Sequence, residues 1–408
     1  MKDCFISEKC NENSLKWIQA NSRLNPLYSR DNDIRSEFER DYTRILHSFG
    51  YRRLKHKTQV FFAPQNDHIC TRIEHVNHVS SVSSTIAKYL GLNDQLTSAI
   101  AIGHDIGHAP FGHHGEDCIN SIMNNSSNKH EFWHEKNSLF FVDNIETLQD
   151  PNGNSLPLNL TYGVRDGIIC HCGEIDESAI KPRNDFINLM DIQHPGQVQS
   201  FTWEGCVVKI ADKIAYLGRD IEDAIQYQML DMNTYRKLRI IMKDSFGDKA
   251  IKEINTTVLI NDCIVDLCNN SNPSEGLKFS DNFFNFLKNI KLFNYENIYK
   301  YWRIEEFKKY ATLIIQTIYN TLIKLYPFVK TRRQDLPIIS FINLHKTFYE
   351  WLIKYTNFNL DEKIKYKFKT NVLFDIENPN DYSDCVLYYI SGMTDQYAIK
   401  VYEEIISF

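Results

Sequence analysis

Gly103-His104-Asp105-Ile106-Gly107-His108-Ala109-Pro110-Phe111-Gly112-His113-His114-Gly115-Glu116, residues 103–116, is the stretch on which the reading of this chain turns. Four imidazoles and two carboxylates stand there among four glycines and a proline. A buried polar side chain needs a partner, so this density points to a site rather than to packing alone. The run before it, Gln95 to Ile102 (QLTSAIAI), is apolar and reads as a buried helix. The polar cluster therefore sits at the end of a core element.

Working outward, the 408 residues permit one large domain or two or three smaller ones, with 43% hydrophobic and 24% charged residues, as in soluble globular proteins. A net charge of -6 offers no field that would coat nucleic acid. Two basic runs, RRLKHK at 52–57 and KTRR at 330–333, read as solvated faces, although either could meet the phosphates of a small nucleotide. The ten cysteines show no paired framework, the N-terminus is polar, and no run reaches the roughly eighteen apolar residues of a membrane span. Reduced thiols in a cytoplasm are expected. Cys170-His171-Cys172 lacks a second ligand pair at zinc-finger spacing, so buried thiols are expected there.

The periodicity predicts a mainly α chain. Residues 1–34 read as an N-terminal arm, 35–233 as a catalytic core and 234–408 as a helical region packed on it. Within the core, helices are expected from Arg35, over 74–90 with Gly91 as a stop, from Asn93-Asp94 into His104-Asp105, over 134–148, from Val164, and over 203–229. Val60, Phe61 and Phe62 before Pro64 suggest at most a short β-hairpin near 58–72, while 149–160 reads as irregular. Later helices are expected near 234–245, 248–268, 280–292, 303–325, 338–356 and 382–406.

Successive helical residues point about 100° apart. His104 and Asp105 can thus both lean toward a cation at the helix edge without enclosing it, and other helices must supply the remaining ligands. His75 is a natural third and Asp212, in the otherwise apolar VVKIADKIAY, a natural fourth. Two imidazoles and two carboxylates suit Mn, Fe, Co, Ni or Zn, with Mg possible through the carboxylates. Such an ion acidifies and aims water, as hydrolysis needs. The spacing alone also fits a chance His-Asp pair.

Here the chain resembles a known family. His75, His104-Asp105 and Asp212 match the H…HD…D signature of HD-domain metal phosphohydrolases. The resemblance is closer to their deoxynucleoside triphosphate triphosphohydrolase (dGTPase-like) branch. It runs through Arg35, Phe38, Asp41, Arg44-Ile45, Ser48, Tyr51 to Leu54, Lys57-Thr58-Gln59-Val60, RIEH (72–75), LGLN (90–93), the 103–116 stretch, VRDGI (164–168), ADKIAYLGRDIEDAI (211–225) and YISGMTDQYA (389–398). It implies an HD-domain helical fold and hydrolysis of a dNTP to deoxynucleoside and inorganic triphosphate by attack of water on the α-phosphorus. It also implies a homo-oligomer and leaves room for an activating nucleotide.

Asp212, Tyr216 and Asp220 fall at i, i+4 and i+8 and stack along one helix face. In similar enzymes the matching tyrosine packs on deoxyribose, the residues matching Asp220 and Gln59 hold the 3'-hydroxyl, and those matching Arg72 and Lys213 meet phosphates. His108 and His134 fall on active-site positions of the family. His113 is the candidate general acid for the 5'-oxygen, oriented by Glu116. His114 and His78 read as structural, and His171-Cys172-Gly173-Glu174 as a possible pocket wall. Tyr388 replaces the family's usual aspartate, which leaves the role of the C-terminal helix open; residues 234–380 match loosely, and base contacts are expected there or in 149–200, so base preference does not carry over. Two rivals remain open: a nucleotidase or phosphomonoesterase on the same centre, and a non-catalytic module sensing nucleotides or single-stranded nucleic acid.

Overall fold

The computed structural model describes residues 2–28, 32–62, 69–124, 131–172, 177–246, 256–332 and 342–407. It is mainly helical. The core consists of α1 (Glu37–His47), α2 (Arg72–Leu90), α3 (Asp94–Gly103), α4 (His113–Asn124), α5 (His134–Phe140), α6 (Tyr162–Ile169) and α7 (Trp203–Gln226). There follow α8 (Met232–Phe246), α9 (Thr256–Asn270), α10 (Asp281–Asn294), α11 (Trp302–Ile323), α12 (Ile342–Tyr355), α13 (Pro379–Ser391) and α14 (Asp395–Ile406).

Local chemistry sets the helix ends that matter for the site. Glu74 reaches back to the Thr71 backbone N–H at 2.7 Å, closing the first turn of α2. The helix stops at Gly91, whose φ of 84° is a left-handed conformation that a side chain disfavours. Asn93 then caps α3 by accepting from the N–H groups of Gln95 and Leu96, at 3.1 and 3.2 Å. Thr202 accepts from the Gly205 N–H at 3.2 Å and starts α7. α3 lies against α1, α2 and α7, and α7 also lies along α2. Ile100, Ile102, Val76, Val79, Val207, Val208 and Ile214 are all buried there. Each such aliphatic side chain contributes about 1.5–3 kcal/mol on leaving water. One continuous apolar cluster extends from Phe5 to Val401 and includes side chains from α10, α11, α13 and α14.

The N-terminal segment is docked on this core. Phe5 is buried against Trp203, with ring centroids 4.8 Å apart, and the buried Glu204 accepts from the N–H groups of Cys10 and Asn93. All ten cysteines are free, and Cys170 and Cys172 are buried thiols as expected. No helix among the described residues is long and apolar enough to cross a membrane.

Several expected boundaries move. α3 ends at Gly103, so His104 and Asp105 lie in the turn after the helix. The helix expected over 134–148 ends early: α5 passes into a π-turn at Phe141–Ile145 and then a strand. The described part of 58–72 forms one antiparallel bridge, Thr58 with Thr71, rather than a hairpin, and residues 63–68 lie outside the described residues. The two-stranded sheet stands instead at β1 (Thr147–Gln149), mostly within the end of the expected 134–148 helix, and β2 (Ser155–Pro157), within the segment read as irregular, with Leu148 opposite Leu156. The segment 382–406 is two helices, broken at Gly392 to Thr394. The starts of the helices expected at 248 and 338 lie outside the described residues.

Gly107 shows how tightly the loop after α3 is packed. A Cβ built there would lie 2.1 Å from the Ser138 nitrogen and 2.4 Å from the Asn137 carbonyl carbon, both backbone atoms at the heart of α5. Gly107→Ala is expected to destabilise the protein by about 2 kcal/mol or more, because rigid backbone must move. Thermal or denaturant unfolding measures this, and a curve superimposable on that of the natural protein would contradict the packing.

Candidate metal centre

His75 from the first turn of α2, His104 and Asp105 from the turn after α3, and Asp212 from the middle of α7 converge. His75 Nε2 lies 2.9 Å from Asp212 Oδ1, and His104 Nε2 lies 3.8 Å from that same oxygen and 3.6 Å from Asp105 Oδ1. Ligand atoms of His75, His104 and Asp212 all fall within 4.8 Å of one another, as do those of His104, Asp105 and His171. His104 Nδ1 is hydrogen-bonded to the Ala101 carbonyl at 2.6 Å, which makes Nδ1 the protonated nitrogen and leaves a lone pair on Nε2. That Nε2 is buried and has no hydrogen-bond partner among the described residues. Donors about 2.1 Å from one ion and at right angles lie about 3 Å apart, close to the spacing found here. The donor set fits a divalent metal.

Charge compensation keeps the carboxylates ionised. Burial pushes the Asp105 carboxyl up, but the charges around it, of which the Arg72 guanidinium is the permanent one, outweigh it and hold the group well below the usual carboxylate range. Arg72 reaches Asp105 Oδ2 at 2.7 Å, while its Nε and second terminal nitrogen have no partner among the described residues. Burial likewise opposes the charges of Asp212 and His75. Their mutual hydrogen bond wins, lowering the carboxyl and raising the imidazole. Burial and the neighbouring His104 push the fifth donor, His171, down to about 3, so it is a neutral imidazole.

Beside this group stands a second cluster. The rings of His108 and His134 stack at 3.9 Å, and His113 lies 5.1 and 5.4 Å from them. Glu116 Oε2 is shared between His134 Nδ1 at 3.3 Å and His113 Nδ1 at 3.5 Å, and Glu135 Oε2 lies 3.4 Å from His134. Burial alone would lower His134, but Glu135 and Glu116 raise it to about 10. Burial and the charges of Arg72 and His134 drive His108 well down. A neutral ring thus lies on a charged one. The His113 side chain is 59% exposed, at the rim.

Along α7, Tyr216 and Asp220 follow Asp212 on the same face. Lys213, turned about 100° from Asp212 around the helix, lines a cavity of 30 Å³ with Glu177, Lys209 and Lys278. Burial pushes the Asp220 carboxyl up to about 7, against the opposing effect of a hydrogen bond from the Tyr299 hydroxyl. Gln59 lies beside the Thr58 bridge with its Oε1 buried and unpartnered among the described residues.

A profile described as HD domain matches residues 72–217, which span all four converging side chains. A deoxyguanosinetriphosphate triphosphohydrolase-like protein of Caldanaerobacter subterraneus subsp. tengcongensis is 32% identical, over 99% of this chain and 96% of that protein. Proteins so described from Clostridium tetani and Rickettsia bellii are 35% and 29% identical, over 73% and 91% of this chain and 76% and 92% of their own lengths. The chain belongs to the HD-domain, deoxyguanosinetriphosphate triphosphohydrolase-like family.

In this member of the family the C-terminal region secures the loop that carries the histidines. Asp395, at the start of α14, accepts from the Thr58 N–H through one carboxylate oxygen and from the Phe111 N–H through the other, both at 2.8 Å. Phe111 has a φ of 66°, unusual for a residue with a side chain, and this bond holds it there. The buried Lys57 donates to the His108 carbonyl and, at 3.4 Å, to the Ser391 carbonyl. Tyr388 packs on Phe140, with ring centroids 4.3 Å apart and the planes tilted by 34°. His114 packs near Phe307, at 6.0 Å. Sequence reasoning singled out neither Glu135, Lys57, Asp395 nor Tyr299 as site residues. Lys57 and Asp395 did lie in the KTQV and GMTD matches, which was a signal without an assigned role. Of the expected pocket wall, His171 joins the cluster, and Gly173-Glu174 lie outside the described residues.

Raised above its ordinary 6.5, His134 adds stability that is complete below that value and is lost as pH climbs through about 10. Glu116→Gln keeps an acceptor but removes the charge, so the pKa of His134 is expected to fall by at least about one unit. NMR titration of the imidazole signals in metal-free protein measures this, and an unmoved pKa would refute the pairing.

Proposed function

We propose that the protein hydrolyses deoxynucleoside triphosphates to deoxynucleoside and inorganic triphosphate. One observation carries the reading: α7 contributes Asp212 to the His75–His104 cluster and, on the same face, Tyr216 and Asp220 one and two turns further on. A single helix thus carries a ligand for the phosphate chemistry and, one and two turns on, the residues proposed to meet the sugar. Full-length relatives described as triphosphohydrolase-like support the same assignment.

His75, His104, Asp105 and Asp212 would hold the divalent ion, for which Mn, Mg, Fe, Co, Ni and Zn remain candidates. When bound, such an ion supplies Lewis acidity toward phosphoryl oxygens and lowers the pKa of water. Arg72, with two nitrogens free of partners among the described residues, and Lys213 provide positive charge for the triphosphate. Water attacks the α-phosphorus, the bond from phosphorus to the 5'-oxygen breaks, and His113 delivers the proton that oxygen needs. His113 suits this role because it stands at the solvent rim with Glu116 behind it. His134, held near 10, is too weak an acid for that task near neutral pH and serves as fixed positive charge. Tyr216 packs on the deoxyribose where a 2'-hydroxyl would project, and Asp220 and Gln59 receive the 3'-hydroxyl. Assembly into a homo-oligomer and response to an activating nucleotide belong to the same proposal, on the family resemblance. The free, mostly buried cysteines suit a reducing cytoplasm.

The test supplies purified, metal-loaded protein with each dNTP and rNTP and identifies the products. Intact triphosphate from dNTPs is expected, with rNTPs poor substrates. Asp105→Ala should lose about 100-fold or more in turnover while its circular dichroism is unchanged. Stepwise release of orthophosphate, or turnover retained in Asp105→Ala, would overturn the proposal.

A further inference from the structure

We infer that Tyr299 is a positioning residue for sugar recognition, aiming the Asp220 carboxylate at the substrate's 3'-hydroxyl. This rests on the proposed dNTP hydrolysis, in which Asp220 meets that hydroxyl. The Tyr299 hydroxyl donates to Asp220 Oδ2, linking residues 79 apart in sequence. Asp220 is 2% exposed, so little water competes to orient it. A carboxylate with one oxygen engaged by a fixed donor can neither rotate nor tilt freely, and its remaining acceptor sites keep one direction. A sugar hydroxyl then meets a preset acceptor instead of having to order one, which is how preorganisation raises affinity.

The backbone around Tyr299 is built for that placement. After α10 the chain passes through a π-turn, Tyr295–Tyr299, which accommodates one more residue per turn than an α-helix. Without it, the side chain at 299 would sit about 100° away around the helix. The segment is pinned to α7 by the buried Asn294, whose Nδ2 donates to the Leu217 carbonyl at 3.1 Å, and Ile298 within it is buried. Tyr299 also stands close enough to Tyr216 for the two phenols to influence each other electrostatically. Two tyrosines and a carboxylate from α7 and the segment after α10 thus form one wall.

Steady-state kinetics with a dNTP and its 2',3'-dideoxy analogue test the inference. Tyr299→Phe keeps the ring and deletes only the donor. It should raise KM for the dNTP about tenfold, with kcat changed by less than about twofold, and leave both constants for the dideoxy substrate within about twofold. Asp220→Asn should narrow the difference between the two substrates in the same way, and adding Tyr299→Phe to it should have no further effect. An equal loss on both substrates, or additive losses in the double variant, would overturn the positioning role while leaving dNTP hydrolysis intact. If the natural protein hydrolyses no dNTP at all, the underlying reading fails, and the inference falls with it.

Discussion

The shared oxygen of Asp212, lying between the imidazoles of His75 and His104, is the contact on which the rest of the molecule depends. Two carboxylates and two imidazoles converge in and beside a hydrophobic core, where an uncompensated charge would be costly. Each carboxylate has a protein cation at hand: Arg72 for Asp105, and His75 for Asp212. Yet the Nε2 of His104, fixed by the tautomer that Ala101 imposes, faces both carboxylates and bonds to nothing among the described residues. A lone pair held that way suits a cation better than it suits packing. The caps that fix where α2 and α3 begin matter because they set which residues arrive at this point.

A loop carrying that much chemistry without regular hydrogen bonding has to be held from outside. The segment after α3 is gripped on one side by α5, where the Ser138 hydroxyl accepts from the Gly107 N–H at 2.9 Å and Asn137 donates to the Gly107 carbonyl at 2.5 Å. Lys57 and Asp395 grip it on the other. Bonds to charged groups contribute about 1.5–3 kcal/mol each, enough to keep Phe111 in its left-handed conformation. The residues that do this come from opposite ends of the chain. The C-terminal helices are therefore part of the scaffold of the candidate site, and the single apolar cluster that joins them to the core is consistent with that.

Much of this was legible in the sequence, for identifiable reasons. α2, α3 and α7 announce themselves through helical periodicity, through Asn93 as a cap and through Gly91 as a stop, all local signals. The grouping of His75, His104, Asp105 and Asp212 could be anticipated because the motif resembles a family, whereas the helical-angle argument for His104 and Asp105 does not apply, since both lie in the turn after α3. Tyr299, Asp395 and Lys57 were not assigned, since their partners lie 79, 337 and 51 residues away and no periodicity encodes such contacts. The π-turns at 141–145 and 295–299 leave no recognised pattern either. Strands of three residues are too short for alternation to appear, so the sheet at 147–157 was missed. Val60-Phe61-Phe62, expected in a hairpin, are apolar because they pack: Phe62 stacks on Phe307 at 4.8 Å, and Phe61 lies 5.6 Å from Tyr227.

The histidine cluster also constrains how protons can move. Glu116 and Glu135 fix a proton on His134, and the resulting imidazolium, stacked at 3.9 Å on His108, makes a second protonation there unfavourable. His171 is kept neutral by its burial and its imidazole neighbours. Of the imidazoles around the site, His113 alone combines contact with a carboxylate and broad access to water. Buried rings of fixed charge provide a constant electrostatic background in this cluster, while the ring of His113 stands at the rim and faces water. Residues 103–116 thus combine histidines that line the core, His104 and His108, with one that opens to solvent.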